Sequence, residues 1–389
     1  AIRYPDEVEG PLYAGIAATV EGRFPAAIPY FRRVVAMDSL GLRGEGARCA
    51  ACEALEQIVA VYQQMDSLAA AEREARAWIR LQPKSARAWI WLVAVLDYQG
   101  RHEEALGAYH TFATLAPEYD GGLLFLAGHR IAEGSYGEAE RILREVGHIG
   151  TEAQKGEALW QLALSLRQQG RFAEALDAAR RFRAVWHDDA YQSQAPYSAL
   201  MQAQVLFEMG RYRESAALFD SIAGVSGPPE VPSSMRAKAR VWALTHAATA
   251  RAAMGDTASL AAEVEEARAL GARSGHGRDR LLHHYLRGLL LAARGRPEEA
   301  VAEYRQAMSS PNTGYTRVNL ELARTSLRLG RPRDAIDALR AALRGGLEGS
   351  NLYVTRTELH QVLAQAYEAA GVRDSAAAER RLVAAALRK

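Results

Sequence analysis

Residues 99–105 read QGRHEEA. The phrase returns with small changes as EGRFPAA at 21–27, EGSYGEA at 133–139, QGRFAEA at 169–175, MGRYRES at 209–215, RGRPEEA at 294–300 and LGRPRDA at 329–335. Weaker copies stand at 254–260 (MGDTASL), 370–376 (AGVRDSA) and 64–70 (QMDSLAA), which brings the number to ten. With Gly22, Met65, Gly100, Gly134, Gly170, Gly210, Gly255, Gly295, Gly330 and Gly371 as anchors, neighbouring anchors lie 34 to 45 residues apart. A floor of that length with variable additions above it is the signature of stacked helix-turn-helix units whose surface loops differ. Glycine takes the left-handed backbone conformation that ends one helix, and the residues after it begin the next. Each anchor therefore predicts the turn of a helical hairpin, with helix A ahead of it and helix B behind.

Small residues recur seven positions before the anchor (Gly15, Ala127, Ala163, Gly288, Ala323 among them), and Ala or Ser stands five after it in most copies. Nine after it a large apolar residue is frequent: Phe31, Tyr109, Leu143, Phe219, Tyr304, Leu339. Small side chains let two helices approach closely, and the large one fills the space left over. This pattern resembles the tetratricopeptide repeat (TPR), best at the unit around Gly100, where Trp89, Leu92, Leu96, Ala105, Tyr109 and Pro117 stand at the family's marker positions. The resemblance extends from about Pro11 to Lys389 and implies an all-α, right-handed superhelical solenoid of ten hairpins. Units at Met65 and Gly255 depart most from the pattern.

Composition agrees: 49% hydrophobic residues but only 8% aromatic, with no long alternation of β-branched residues, describe a helical chain. A solenoid has no single core and lengthens without dividing, so residues 1–389 are expected to form one stack. The strongest candidate hinge is GVSGPPEVPSS at 224–234, between sub-stacks 1–223 and 235–389; an ordinary loop between repeats is the favoured reading. The insertions near 41–46, 187–196, 271–280 and 344–353 are read the same way.

Charge and motifs exclude more than they select. A formal charge of +2 from 48 basic and 46 acidic residues argues against a nucleic-acid-coating surface. Basic runs such as Arg180, Arg181, Arg183 and Arg380, Arg381 read as solvated helix faces. Cys49 and Cys52 form CAAC, a spacing that suits a redox pair or half a zinc site, but no second pair of ligands follows, so buried small apolar residues are the preferred reading. Adjacent His283 and His284, with His276, point to different faces of a helix and do not make a metal site. There is no phosphate-binding glycine loop, zinc-hydrolase motif, nucleophile elbow or kinase set, so neither an enzyme nor a cofactor is expected.

In TPR proteins helix A lines the concave face, at positions about 13, 10, 6 and 3 residues before the turn. Read onto the middle of this chain, those positions include Trp160, Leu164 and Arg167, then Tyr197, Gln204 and Phe207, then Trp242, Thr249 and Ala252, then Tyr285 and Leu289. The rings would wall an apolar groove for a protein segment or apolar effector, with Trp160, Arg167, Tyr197, Phe207, Trp242 and Tyr285 as the partner-binding set; the alternative is that the rings pack between units. A clamp for a C-terminal carboxylate is disfavoured, because such clamps use Lys and Asn and this chain has four Lys and three Asn. Residues 329–389 further resemble the C-terminal TPR sensor region of some bacterial Ser/Thr kinases and transcriptional activators, which implies a binding role without transferring an activity.

The ends supply the alternative function. Leu12, Tyr13 and Ile16 near the start and Leu382, Val383 and Leu387 near the finish are apolar positions that no capping helix covers in the sequence. Head-to-tail association through them would build a filament or tube. No apolar stretch reaches the length of a membrane span. Few cysteines favour the cytoplasm, while the missing initial Met keeps an exported, leader-cleaved protein open.

Overall fold

The computed structural model describes residues 7–21, 23–42, 49–65, 67–116, 121–185, 199–224, 233–274, 277–308, 315–344 and 354–388. Among them the regular structure is helical throughout, and its twenty α-helices fall into ten hairpins. They are α1 (Glu9–Val20) with α2 (Phe24–Met37), α3 (Ala50–Gln64) with α4 (Leu68–Leu81), α5 (Ala86–Tyr98) with α6 (His102–Leu115), α7 (Gly122–Ala132) with α8 (Tyr136–Ile149) and α9 (Glu152–Gln168) with α10 (Phe172–Val185). There follow α11 (Leu200–Glu208) with α12 (Tyr212–Gly224), α13 (Ser233–Ala253) with α14 (Thr257–Arg273), α15 (Leu282–Ala293) with α16 (Pro297–Ala307), α17 (Arg317–Arg328) with α18 (Pro332–Leu343), and α19 (Arg356–Ala369) with α20 (Arg373–Ala386). Every anchor lies between the two helices of one hairpin.

The turns explain why the glycine recurs. At Gly100, Gly134, Gly170, Gly210, Gly255, Gly295, Gly330 and Gly371 φ lies between 68° and 82°, the left-handed region. An L side chain there costs about 1–2 kcal/mol. The next residue turns its N–H back to the fifth carbonyl before the glycine's successor, as Arg101 does to Leu96 at 3.0 Å and Arg171 to Leu166 at 2.9 Å, which satisfies carbonyls the helix end would otherwise leave unpaired. The same bond from Ser67 to Tyr62 fixes the register of the degenerate second unit. Met65 closes α3 as Gln99 closes α5, so the anchor there is residue 66, one position after the one expected. Five residues on from it is Ala71, fully buried like Ala27 and Ala105.

The arginine that follows the glycine has its own work. Arg171 pairs through both ends of its guanidinium with Glu174 in the first turn of α10, at 2.8 and 2.6 Å, and its other nitrogen reaches Glu140 of the preceding hairpin at 2.7 Å. Arg101 repeats the arrangement with Glu104 and Glu72. The GR-x-x-E phrase thus staples its turn, and at Arg101 and Arg171 it also straps neighbouring hairpins together.

Small and large positions meet inside the first and eighth hairpins. A Cβ on Gly15 would stand 2.5 Å from the ring of Phe31, and one on Gly288 would run into the ring of Tyr304. Both rings are fully buried. The residue seven before the turn is therefore the floor on which the residue nine after it lies.

Two compact units emerge from the contacts: residues 1–119 with 275–277, holding the first three hairpins, and residues 120–274 with 278–389, holding the other seven. Within each, helix B of one hairpin packs on helix A of the next, and successive A helices also meet. Of the candidate hinge, residues 225–232 lie outside the described residues; α12 and α13 on its two sides pack closely against one another. Cys49 and Cys52 are buried, as expected of small apolar residues, but they are not free thiols: the two sulfurs are bonded to each other.

Two glycines to alanine separate packing from backbone cost. Gly288→Ala is expected to lower stability by about 1–3 kcal/mol through collision with Tyr304. Gly107→Ala, in α6 with nothing near its Cβ position, should raise it by about 0.5–1 kcal/mol. Thermal unfolding followed by circular dichroism should move in opposite directions for the two variants.

Candidate functional site

In the second unit the fifth and tenth hairpins touch. Gln168 ends α9, and its side-chain Oε1 accepts the Arg356 backbone N–H at 2.9 Å while its carbonyl accepts the Thr357 hydroxyl at 2.6 Å. α9 reaches that point as a long, well-started helix: Thr151 and Gln154 exchange side-chain bonds across its first turn, a complete capping box. Leu387 approaches the Gly170 turn from the other side, where a Cβ would lie 3.1 Å from its Cδ2. The Gln168 Nε2 is buried without an acceptor, a cost the contact carries.

Hairpins five to ten thereby surround a cavity of about 690 Å³, within the range of pockets that hold a small molecule or a few side chains. Its lining mixes two chemistries. Phe172, Phe207, Tyr212 and Leu289 supply apolar surface, and Glu321, Arg324, Arg328 and Glu358 supply charge.

The charges are organised. Arg167, with its side chain wholly buried, makes a two-pronged pair with Glu208 at 2.8 and 2.6 Å and faces Met201 Sδ at 3.6 Å. Arg324 bridges Glu321 at 3.1 Å and Glu358 at 2.8 Å but keeps more than a third of its side chain exposed. Arg328 holds Thr325 Oγ1 at 2.9 Å. Behind them Arg317 is buried with its guanidinium carbon 4.6 Å from the centre of the Phe207 ring, a cation–π contact that fixes the ring against the cavity wall. Burial works against the charge on Arg317, but the carboxylate of Glu358, with the phenols of Tyr315 and Tyr285 and with Glu321, outweighs it and holds the pKa above its ordinary value. Arg324 is raised in the same way, against burial, by Glu321 and Glu358.

Of the six residues expected to bind a partner, the cavity receives Phe207 and Arg167. Trp160 packs on Phe182, with ring centres 5.2 Å apart. Trp242 and Tyr285 are buried between hairpins: Trp242 donates its Nε1–H to Asp279 at 2.9 Å under the Arg278 guanidinium, and Tyr285 meets Tyr315 edge-on and Thr249 Oγ1 at 3.1 Å. Tyr197 lies outside the described residues. In α13 and α15 the positions 13 and 10 before the turn thus face neighbouring helices, whereas those 6 and 3 before it, Thr249, Ala252, Leu289 and Ala292, line the cavity. The lining of the cavity is mixed, with apolar and charged side chains side by side. Two of its charged members were readable: the same register carried into the last two hairpins places Arg324 at 6 before Gly330 and Glu358 at 13 before Gly371.

At the ends, Tyr13 is 66% exposed and Leu382 52% exposed, while Leu12 is buried under its own hairpin. Leu387 is turned toward the cavity. Among the described residues no helix is long and apolar enough to cross a membrane.

Comparison with known proteins places the repeat. The family model of the tetratricopeptide repeat matches residues 157–185, which run from α9 into α10 beside the cavity. Among solved structures, the crystal structure of a tetratricopeptide repeat protein from Parabacteroides merdae ATCC 43184 is similar over 82% of this chain and 98% of its own, at 15% identity and a TM-score of 0.35. No curated protein matches the sequence. The described residues form an all-α helical-repeat solenoid of ten hairpins, and the fifth of them matches the tetratricopeptide repeat.

The buried pair gives a stability prediction. Arg167→Ala leaves Glu208 uncompensated and is expected to cost about 3–5 kcal/mol, whereas Arg328→Ala at the cavity edge should cost less than about 1 kcal/mol. Urea unfolding followed by circular dichroism distinguishes the two.

Proposed function

We propose that this chain is a non-catalytic scaffold that holds a segment of a partner protein in the cavity framed by hairpins five to ten. Tetratricopeptide repeats serve as protein-interaction scaffolds, and that coarser role follows from the repeat itself. The observation that supports the finer reading is the lining: apolar patches beside Arg324, whose guanidinium bridges Glu321 and Glu358 while more than a third of the side chain stays exposed. A peptide offers both apolar side chains and carboxylates or carbonyls to such a surface, whereas a purely apolar effector would leave the arginines and glutamates desolvated without new partners. The mixture therefore favours a protein segment over the apolar effector. Peptides selected from a random library on the wild-type chain should lose about 10- to 30-fold in affinity on Phe207→Ala, as expected of an interface anchor. Peptides that bind the variant equally well by calorimetry would place the binding surface elsewhere.

A second reading, head-to-tail self-association, is supported by the exposure of Tyr13 and Leu382. If it holds, sedimentation shows a mass that grows with concentration and that Tyr13→Ser together with Leu382→Ser returns to a monomer. A wild-type chain that stays monomeric across the concentration range removes this reading.

A further inference from the structure

The motif that the binding reading leaves unused is Cys49-Ala-Ala-Cys52. Cys49 is the N-cap of α3, and Cys52 stands in the first helical turn, so the two sulfurs meet at the helix start and are bonded. The Cys52 N–H donates to Cys49 Sγ at 3.1 Å, and the neighbouring Ala51 N–H donates to Asp38 Oδ2 at 3.0 Å. Both amides belong to the set of donors that a helix N-terminus leaves without an internal partner. Around the pair the packing is close: Gly41, at φ 67°, has no room for a side chain, since a Cβ would lie 2.9 Å from Cys49 Sγ. Leu55, Trp78 and Ala88 belong to the same apolar cluster.

As a structural crosslink this bond contributes little. It closes a loop of two intervening residues, the kind that restricts an unfolded chain least. It also joins positions that the backbone bonds of α3 already hold together. Two cysteines with this spacing at a helix start are instead the arrangement in which the helix end favours a thiolate and readies it for exchange, here against the burial of both sulfurs in an apolar cluster.

We infer that Cys49 and Cys52 form a thiol–disulfide exchange site that reacts with small disulfides and thiols of the glutathione class, with Cys49 as the exchanging sulfur. In the reduced chain the Cys49 thiolate is stabilised by the Cys52 N–H and the N-terminal end of α3. The Asp38 carboxylate opposes this, but its oxygens are engaged by the Ala51 and Leu42 N–H groups. Cys49 attacks one sulfur of glutathione disulfide, forming a mixed disulfide and releasing one glutathione thiolate. Cys52 then gives its proton to solvent and attacks Cys49 Sγ, which breaks the mixed disulfide and releases the second glutathione. Two protein thiols are oxidised to one disulfide, and one glutathione disulfide is reduced to two thiols. The reverse sequence opens the bond.

The test uses the full chain without denaturant, equilibrated in mixtures of reduced and oxidised glutathione, trapped with iodoacetamide and weighed by mass spectrometry. The expected result is a reversible passage between forms carrying no label and two labels as the mixture is varied. A pair that stays bonded in a hundred-fold excess of dithiothreitol, or thiols that stay free in oxidised glutathione, overturns the proposal. The variants assign the sulfur: Cys52→Ser should accumulate the glutathione adduct at Cys49 about ten-fold faster than Cys49→Ser does at Cys52, reflecting the larger thiolate fraction of Cys49. Equal rates, or the opposite order, remove the assignment to Cys49. Serine is itself a good N-cap, so Cys49→Ser should keep wild-type helicity, and the wild-type trapping decides the main claim whether or not either variant folds.

Discussion

Everything in this molecule rests on helices being able to turn back within three or four residues and then lie almost in contact. Left-handed glycines supply the reversal at eight turns among the described residues, and the fit of a large ring onto a glycine supplies the close approach in the first and eighth hairpins. The two requirements act on the same hairpin, since the small residue precedes the turn by seven positions and the ring follows it by nine. A helix pair so fixed presents one face to the next pair and so on along each unit, with the arginine after the glycine tying consecutive pairs at the surface. Local geometry, repeated, becomes architecture without any long-range instruction.

The second unit adds an exception to that locality. The bond between Gln168 and Thr357 spans 189 residues and brings hairpins five and ten together. Around it gather the charges that a simple stack would leave in water: Arg167 with Glu208, and Arg317 and Arg324 with Glu358 and Glu321. Burying ions is costly unless each finds a partner in good geometry, and here Arg167 grips Glu208 with two bonds and Arg324 bridges Glu321 and Glu358. The same grouping gives the cavity its mixed character, since Phe207 in its wall lies against the buried Arg317 guanidinium as well as the ring of Tyr212.

The repeat was legible because its cause is local. A glycine needed for a positive φ, and a small residue needed under a ring, leave marks at fixed spacing, and the one misplaced anchor, Met65, falls where the glycine is missing. Part of the concave register was legible too: in the seventh and eighth hairpins the positions 6 and 3 before the turn line the cavity. Trp242 and Tyr285 could not be placed by the register alone, because whether a ring faces the groove or the next hairpin depends on Asp279 and Tyr315, residues outside their own helices. The meeting of Gln168 with Thr357 leaves no periodic mark at all, since curvature accumulates from small angles that no single residue encodes. The sulfur bond was obscured for a different reason: a buried thiol and a buried disulfide ask for the same apolar surroundings.

The meeting of α9 with the last hairpin also removes a freedom that repeat proteins ordinarily enjoy. An open stack gains or loses a hairpin with little effect beyond its length, because each member touches only its neighbours. Here the four hairpins between the fifth and the tenth form an arc of set span. Duplicating or deleting one would carry Thr357 past Gln168 by the spacing of packed helices, roughly 8–10 Å per helix layer. Copy number in this segment is therefore a specified quantity, and lineages that vary it would have to trade the enclosed space for an open groove.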